Sequence, residues 1–448
     1  MKVLFVVTAF YPEQAIGSVR ISKFAKYFAA AGVDLTIISL TPPSWSKKDE
    51  TLRFDGLENI RWVQIDQSYL FKRIFQRARS AAVGGKSALG YMESSGTKTV
   101  FKKAVRSAIQ LAYALIKGLD WKRQVTKYAA TFFDNEQFDS VFCSYPSFGS
   151  PLAAIGLRKA GYCRNVVLDF RDPVVYGDSF LKKAQENIQQ SFLCSVDGVT
   201  FVSEGVKEKV LTDSIPIKKS LVVYNGFDTE DCRNYEYLRY IKGTNTALKF
   251  SYVGSLYGGK RNLNSFFSVI KNCIDLGEIK LRSIELHYAG ADLESLMSQA
   301  ESFGLQNIVV DHGLITRDDA LGLQSNVDVN IVVTWNTPQD QGVLTGKVFE
   351  SFMLRKPILG IVNGTMAGSE FSRMINSVGA GFCIEDANID RLRFKGWLVD
   401  SINLKLKNGI LPSTYNDVVN EYNYSSLAGN LMCFVREINH NNKIKVDS

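Results

Sequence analysis

QGVLTGKVFESFMLRKPILGI, residues Gln341 to Ile361, is the stretch on which the reading of this chain turns. It opens with a loop holding Gly342, Thr345 and Gly346 and runs into Lys347, Val348, Phe349 and Glu350. Apolar side chains at Val348, Phe352, Met353 and Leu354 follow at helical spacing, until Arg355-Lys356-Pro357 breaks the helix. Ile358-Leu359-Gly360-Ile361-Val362 then reads as a short buried strand. A loop, a helix and a parallel strand in this order present backbone N–H groups at the helix start, where the dipole favours an anion. Glu350 lies one turn past Lys347. A phosphate would repel it, so its natural partner is a hydroxyl pair such as a ribose. The same residues suit an ordinary helix start with Lys347 and Glu350 as a surface pair, and this stretch alone leaves both readings open.

Upstream, the same half of the chain reads strand Leu248–Val253, loop Gly254–Asn262, helix Leu263–Leu276 and strand Ile284–Tyr288. The loop GSLYGGKR is rich in glycine and ends in Lys260-Arg261, which suits a diphosphate held by backbone amides and fixed cations. Asn307–Val310, a turn at His312-Gly313, a helix near Arg317–Ser325 and strand Asp328–Val333 lead back to the opening stretch. A last helical region spans Asp417–Asn439.

The first half repeats the pattern. Strand Val3–Thr8, a loop Ala9–Arg20 with Pro12 and Gly17, helix Ile21–Ala31 and strand Val33–Ser39 form an opening βαβ unit. Gly17-Ser18 leaves room for a phosphate or sugar, although no G-x-G-x-x-G fingerprint is present. Strands follow near Ile60–Ile65, Ser140–Ser144, Asn165–Phe170, Gly198–Val202 and Ser220–Tyr224, with a helix at Glu204–Leu211. Asp169-Phe170-Arg171-Asp172 ends one of these strands, where open α/β sheets place ligands; a structural Arg–Asp pair is the competing reading. Polar residues from Thr229 to Thr246 read as a connection. The expected domains are 1–230, 247–395, and a helical region 396–448 returning to the first.

At 448 residues the chain is too long for a single core. Its 46% hydrophobic and 22% charged residues exclude a disordered protein. MKVLFVV is too short for a signal peptide and reads as a strand, and no apolar run approaches the ~20 residues of a membrane span. Seven scattered cysteines without C-x-x-C spacing and three isolated histidines argue for reduced thiols in a cytoplasm, against zinc, a disulfide frame or a His-based triad.

The net charge of +8 is concentrated: thirteen Lys/Arg and two acids between Ser68 and Ala130 give +11, so the rest sums to −3. Within that segment Lys102–Leu119 has a helical phase, with Val105, Ala108, Leu111, Ala112, Leu115, Ile116 and Leu119 on one side and mostly basic residues opposite. Such a helix suits an anionic membrane surface as well as an ordinary packed position. The charge also suits nucleic acid, but no nucleic-acid motif accompanies it, and no nucleic-acid partner is expected.

In combination, FYPEQAIGSVR, YNGFD, YVGSLYGGK, VDHGLI, VDVNIVV and TGKVFESFMLRKPIL resemble a GT-B glycosyltransferase of the family-4 type, as found in bacterial surface-polysaccharide synthesis. The resemblance covers nearly the whole chain. It implies an α/β fold of two Rossmann-like doubly wound domains facing a central cleft. It further implies retaining transfer of a sugar from a nucleoside-diphosphate donor to a glycan or polyprenyl-diphosphate-linked acceptor, for O-antigen, capsule or exopolysaccharide. No cofactor and no metal are implied.

Carried over by position, Glu350 would take the ribose hydroxyls and Lys260 the diphosphate. Gly254 and Ser255 begin the phosphate loop; Gly313, Leu314 and Ile315 would meet the base, and Thr345, Gly346 and Lys347 the phosphates. Gly17 would give the sugar room on the opposite face. The chain departs from the family at three points. Gly342 stands where the first glutamate of an E-x7-E pair is expected, so Glu350 is alone. The arginine that precedes the loop lysine falls at Ser255, which leaves Arg261 to substitute. A first-domain histidine falls at Arg171. Lys260, Arg261, Arg171 and Asp172 are accordingly the candidate catalytic groups, the first two on the leaving diphosphate and the others on acceptor or transferred sugar. The basic segment 68–130 is expected on the membrane and acceptor side, at the inner face of a plasma membrane. A nucleotide-sugar epimerase on the same fold and a non-catalytic partner subunit remain as rival readings.

Overall fold

The computed structural model describes residues 1–13, 16–42, 56–74, 97–134, 136–175, 181–211, 219–232 and 247–447. Part of the basic segment, 75–96, and most of the polar connection, 233–246, lie outside the described residues. The chain divides into two compact units, Met1–Tyr224 with Leu427–Ser448, and Asn225–Ser426.

The first unit runs β1 (Lys2–Val7), α1 (Ile16–Ala30), β2 (Asp34–Leu40), β3 (Arg61–Ile65), α2 (Thr97–Phe132), β4 (Phe138–Tyr145), α3 (Gly149–Lys159), β5 (Cys163–Phe170), α4 (Lys182–Cys194), β6 (Gly198–Phe201), α5 (Glu204–Val210) and β7 (Ser220–Val222). Its seven strands lie in the order β3-β2-β1-β4-β5-β6-β7, every pair parallel. Helices on both faces bury these strands, so β1 carries a continuous apolar run instead of an alternating one.

Two elements differ from the sequence reading. The first helix starts at Ile16 and not Ile21, which puts Gly17 and Ser18 in its first turn instead of a loop. Ser18, Arg20, Ser22 and Lys23 are all buried there, so apolar periodicity could not mark the start. The basic helix extends over 36 residues, and its expected apolar face splits. Leu111, Ala114, Leu115, Trp121, Val125 and Ala129 join the core, with Trp121 Nε1 donating to Ile65 O at 3.0 Å. Val105, Ile116 and Leu119 remain exposed.

The second unit runs β8 (Leu248–Val253), α6 (Asn264–Asp275), β9 (Ile284–Ala289), α7 (Leu293–Glu301), β10 (Val309–Asp311), α8 (Arg317–Asn326), β11 (Val329–Trp335), α9 (Gly346–Leu354), β12 (Ile358–Asn363), α10 (Glu370–Ser377), β13 (Gly381–Glu385) and α11 (Arg391–Asn408). Its parallel sheet has the order β10-β9-β8-β11-β12-β13. Arg355, in the left-handed region at φ 53°, ends α9 immediately before β12. Lys405 on α11 forms a buried ion pair with Asp328 at 2.6 Å, fixing that helix to this sheet.

The last helix, α12 (Tyr424–Asp447), enters the first unit from Leu427 onward. There Asn439 Oδ1 accepts from Ser140 Oγ and Asn165 Nδ2, each at 2.7 Å. Gly198 admits Ile438: a Cβ at that position would lie 2.2 Å from Ile438 Cδ1.

Both sheets are doubly wound. Strand order reverses beside the first strand of each, between β1 and β4 and between β8 and β11, and such switch points are where open parallel sheets bind ligands.

Candidate functional site

In the second unit the loops after β8 and β11 leave adjacent carboxyl ends at the switch point. The first is held rigidly. Asp292 Oδ2 accepts from both Ser255 Oγ and the Leu256 N–H at 2.6 Å, and the Gly254 N–H donates to Ala289 O at 2.9 Å. Tyr257, Gly258 and Gly259 then take positive φ in succession (50°, 61°, 91°), a path that glycine makes affordable at the last two positions. This turn delivers Lys260 and Arg261.

Lys260 Nζ lies 3.5 Å from Asp340 and 5.2 Å above the Trp335 ring. The Arg261 guanidinium sits 4.4 Å over Tyr257 and 5.4 Å over Trp335 and is only 8% exposed. Its Nη1 donates to Ser255 O at 3.4 Å, while among the described residues its Nε has no hydrogen-bond partner and no carboxylate pairs with it. Trp335 Nε1 is likewise buried without a partner. A buried guanidinium without a counter-charge carries a heavy desolvation penalty, and an anion would relieve it.

The second loop is pinned by Thr334 Oγ1 donating to Val343 O at 2.6 Å. Thr345 caps α9, its Oγ1 accepting the Lys347 N–H at 3.3 Å, with Gly346 as first helical residue. Lys347 Nζ and Glu350 Oε2 form an ion pair at 2.8 Å, and Gln324 Nε2 on α8 donates to the same oxygen at 2.9 Å. Burial pushes the Glu350 carboxyl up; Lys347, Gln324 and the charge of Arg317 outweigh it, so the net direction is below the ordinary carboxylate value.

The turn before α8 lies on the same side. Gly313 (φ 65°) donates its N–H to Asp311 Oδ1 at 2.9 Å and accepts from the Gly290 N–H at 3.0 Å. Leu314 is 82% exposed, Ile315 is half-buried, and Thr316 caps the helix. Next to this turn, His312 Nε2 lies 3.0 Å from His287 Nδ1, and His287 Nε2 lies 3.2 Å from Glu285.

In the first unit, Arg171 leaves β5 and lies against Gly17. A Cβ on Gly17 would fall 1.9 Å from Arg171 Nη1, so the space that this glycine opens is filled by a guanidinium. Arg171 Nε donates to Ser144 Oγ at 3.0 Å. Asp169 is a different case. Fully buried, it takes Arg20 Nη2 at 2.9 Å, Arg20 Nε at 3.2 Å, Thr200 Oγ1 at 2.8 Å and Ser144 Oγ at 3.0 Å. Asp169 thus forms a structural pair with Arg20. Asp172 is half-buried near Tyr145; burial first and Asp172 second push that phenol up to about 12.

The structure thus groups Gly254, Ser255, Lys260 and Arg261 in one loop, Thr345, Gly346, Lys347 and Glu350 at one helix start, and Gly17 with Arg171. Sequence reasoning missed Tyr257, Trp335, Asp340, Asp292, Gln324, Ser144 and Arg20. Only Trp335 carried a usable signal, as the tryptophan ending the VDVNIVVTW strand.

No protein-family profile and no curated protein matches the chain. Solved structures do. A sucrose-phosphate synthase from Thermosynechococcus elongatus matches over 98% of this chain and 99% of its own, with TM-score 0.55 and 10% identity. The lipopolysaccharide outer core galactosyltransferase WaaB matches over all of both chains (TM-score 0.54, 14% identity). A UDP-forming α,α-trehalose-phosphate synthase from Burkholderia vietnamiensis matches over 98% and 100% (TM-score 0.56, 12% identity). At these identities the likeness speaks to architecture, and the chain has the GT-B fold, with two Rossmann-like parallel-sheet units.

Proposed function

We propose that the chain is a retaining glycosyltransferase that moves a sugar from a nucleoside-diphosphate sugar to a glycan or polyprenyl-diphosphate-linked acceptor, at the cytoplasmic face of a membrane, in surface-polysaccharide synthesis. The observation that carries this reading is Arg261: a nearly buried guanidinium beside Lys260 at the switch point, with no carboxylate among the described residues to balance it. A diphosphate supplies that balance.

As the bond from the anomeric carbon to the diphosphate oxygen breaks, negative charge grows on the leaving group. Lys260, Arg261 and the amides at 345–347 stabilise it, each well-placed donor contributing roughly 3–4 kcal/mol to the barrier reduction. Glu350 takes the ribose hydroxyls and the Gly313–Ile315 turn the base. Arg171 and Asp172 are assigned to acceptor or transferred sugar.

Ligand-detected NMR against UDP-, GDP- and dTDP-sugars tests the reading, with UDP-sugars first because one similar structure is a UDP-forming synthase. Selective binding by the wild type that Arg261→Ala abolishes is the expected result; no binding by any donor would sink it. A second reading, a non-catalytic partner subunit, draws on Gly342 and on the mutual neutralisation of Lys347 and Glu350. Donor binding without hydrolysis or transfer would favour it.

A further inference from the structure

We propose that α2, together with the helical turn at 69–74, forms a docking face for an anionic lipid bilayer. On α2, Val105, Ile109, Ile116 and Leu119 are 42%, 63%, 47% and 52% exposed. They recur at spacings of four, seven and three residues and form one stripe about 21 Å long, on the side away from buried Trp121 and Val125. The turn at 69–74 extends it. Ser68 N–H donates to Asp120 at 2.8 Å and Phe71 packs 5.9 Å from Tyr113, which ties the turn to α2. Tyr69, Leu70 and Ile74 are left 78%, 65% and 53% exposed beside it.

Charge selects the occupant. From Thr97 to Asp134 the chain has eight Lys/Arg and two acids, and one of those, Asp120, is engaged by Ser68. Arg123 and Lys127 continue the line of the stripe, both exposed. A second copy would bring like charges together, and an acidic protein partner would leave the apolar stripe unsatisfied. An anionic bilayer meets both: side chains enter the acyl boundary while cations face the headgroups. Among the described residues no helix is long and apolar enough to cross a membrane, so the contact lies on the surface. This inference rests on the sugar-transfer reading only for its purpose, and its test measures lipid binding without donor or turnover.

The full chain is sedimented with vesicles of phosphatidylcholine alone or with phosphatidylglycerol. Binding should require the anionic lipid and weaken with salt. Arg123→Ala/Lys127→Ala should lower partitioning roughly fivefold for each cation removed. Ile109→Glu/Ile116→Glu should abolish it with little change in the melting temperature, because both side chains are exposed. The proposal is overturned by equal binding to neutral vesicles, or by partitioning that neither variant alters. A lowered melting temperature in the Ile→Glu variant would place those side chains under protein. A dimer in sedimentation that the same variant dissolves would make the occupant a second copy.

Discussion

Replacing Glu350 with glutamine separates the two readings of the stretch that opened the sequence argument. Glu350 Oε2 accepts from Lys347 at 2.8 Å and from Gln324 at 2.9 Å, and the pair is only 30% and 19% exposed. A hydrogen bond to a charged group contributes roughly 1.5–3 kcal/mol, and partial exposure draws this pair to the lower end. Glu350→Gln should therefore destabilise the second unit by about 1–2 kcal/mol, read as faster hydrogen exchange in α9. Because the native carboxyl lies below its ordinary value of 4.5, its stabilisation is present above that value. It is lost as pH falls through the lowered one, and the variant should lack this acid sensitivity. If Glu350 also takes ribose hydroxyls, the variant loses a charged acceptor in the complex, roughly 1.5–3 kcal/mol or 10- to 150-fold in Kd. Gln324→Leu is the control: it removes one bond to the same oxygen but no group assigned to the donor, so stability should fall and Kd should not. Titration calorimetry with the donor found in the panel decides. A Glu350→Gln protein that is less stable yet binds its donor as tightly as wild type would refute the hydroxyl role and leave an ordinary helix start.

Three further outcomes are expected. Gly17→Ala should displace the Arg171 guanidinium and not the fold, because the clash falls on the end of a flexible side chain; turnover should drop as far as in Arg171→Ala, and the double variant should fall no further. Asp169→Asn strands buried Arg20 and should destabilise the first unit by roughly 3–5 kcal/mol in a denaturant titration. His287 is held below its ordinary value by burial first, with His312 and Lys249 adding to it and Glu285 opposing. Its contribution is therefore complete above pH 6.5 and lost as pH falls below it, so hydrogen exchange at 311–315 should quicken there and His287→Asn should flatten the profile.

Parallel strands were the most legible part of the sequence. Val329–Trp335 and Ile358–Asn363 are covered on both faces and appear as short, mostly apolar runs without alternation. Helices failed where burial and polarity disagree. On α11, Leu392, Leu404 and Leu406 are 78%, 40% and 42% exposed while Ser401 and Lys405 are buried, so the helix shows no clean apolar stripe and its start at Arg391 went unread, with only 396–448 expected as a helical region. β13 went unread too: it has five residues and opens at Gly381, where a Cβ would lie 2.2 Å from Ile358 O. In α2 the helical phase was visible but its packed side was not, since exposed and buried apolar residues together nearly encircle the helix.

The site divides along the same line. Lys260 and Arg261 could be picked out because glycines beside them announce an unusual backbone, and that is local information. What makes Arg261 a candidate for binding is not local. Arg20 and Arg261 are both buried arginines, 1% and 8% exposed, and nothing in the residues flanking them tells which of the two charges the fold balances. Arg20 reaches across the sheet to Asp169, 149 residues away in the chain, and gives further donors to the carbonyls of Val223 and Tyr224. Arg261 finds two aromatic faces, one carbonyl and the Tyr252 hydroxyl, and no carboxylate among the described residues balances its charge. The first arginine's energy is already satisfied by the fold; the second's is satisfied only by something that arrives with negative charge. Substitution should reveal this difference directly. Arg20→Met should cost stability with or without nucleotide, whereas Arg261→Met, exchanging an uncompensated charge for an apolar chain of similar reach, should raise stability slightly and abolish donor binding. An Arg261→Met protein that is destabilised as Arg20→Met is would place Arg261 among the structural arginines and remove the observation on which the sugar-transfer reading stands.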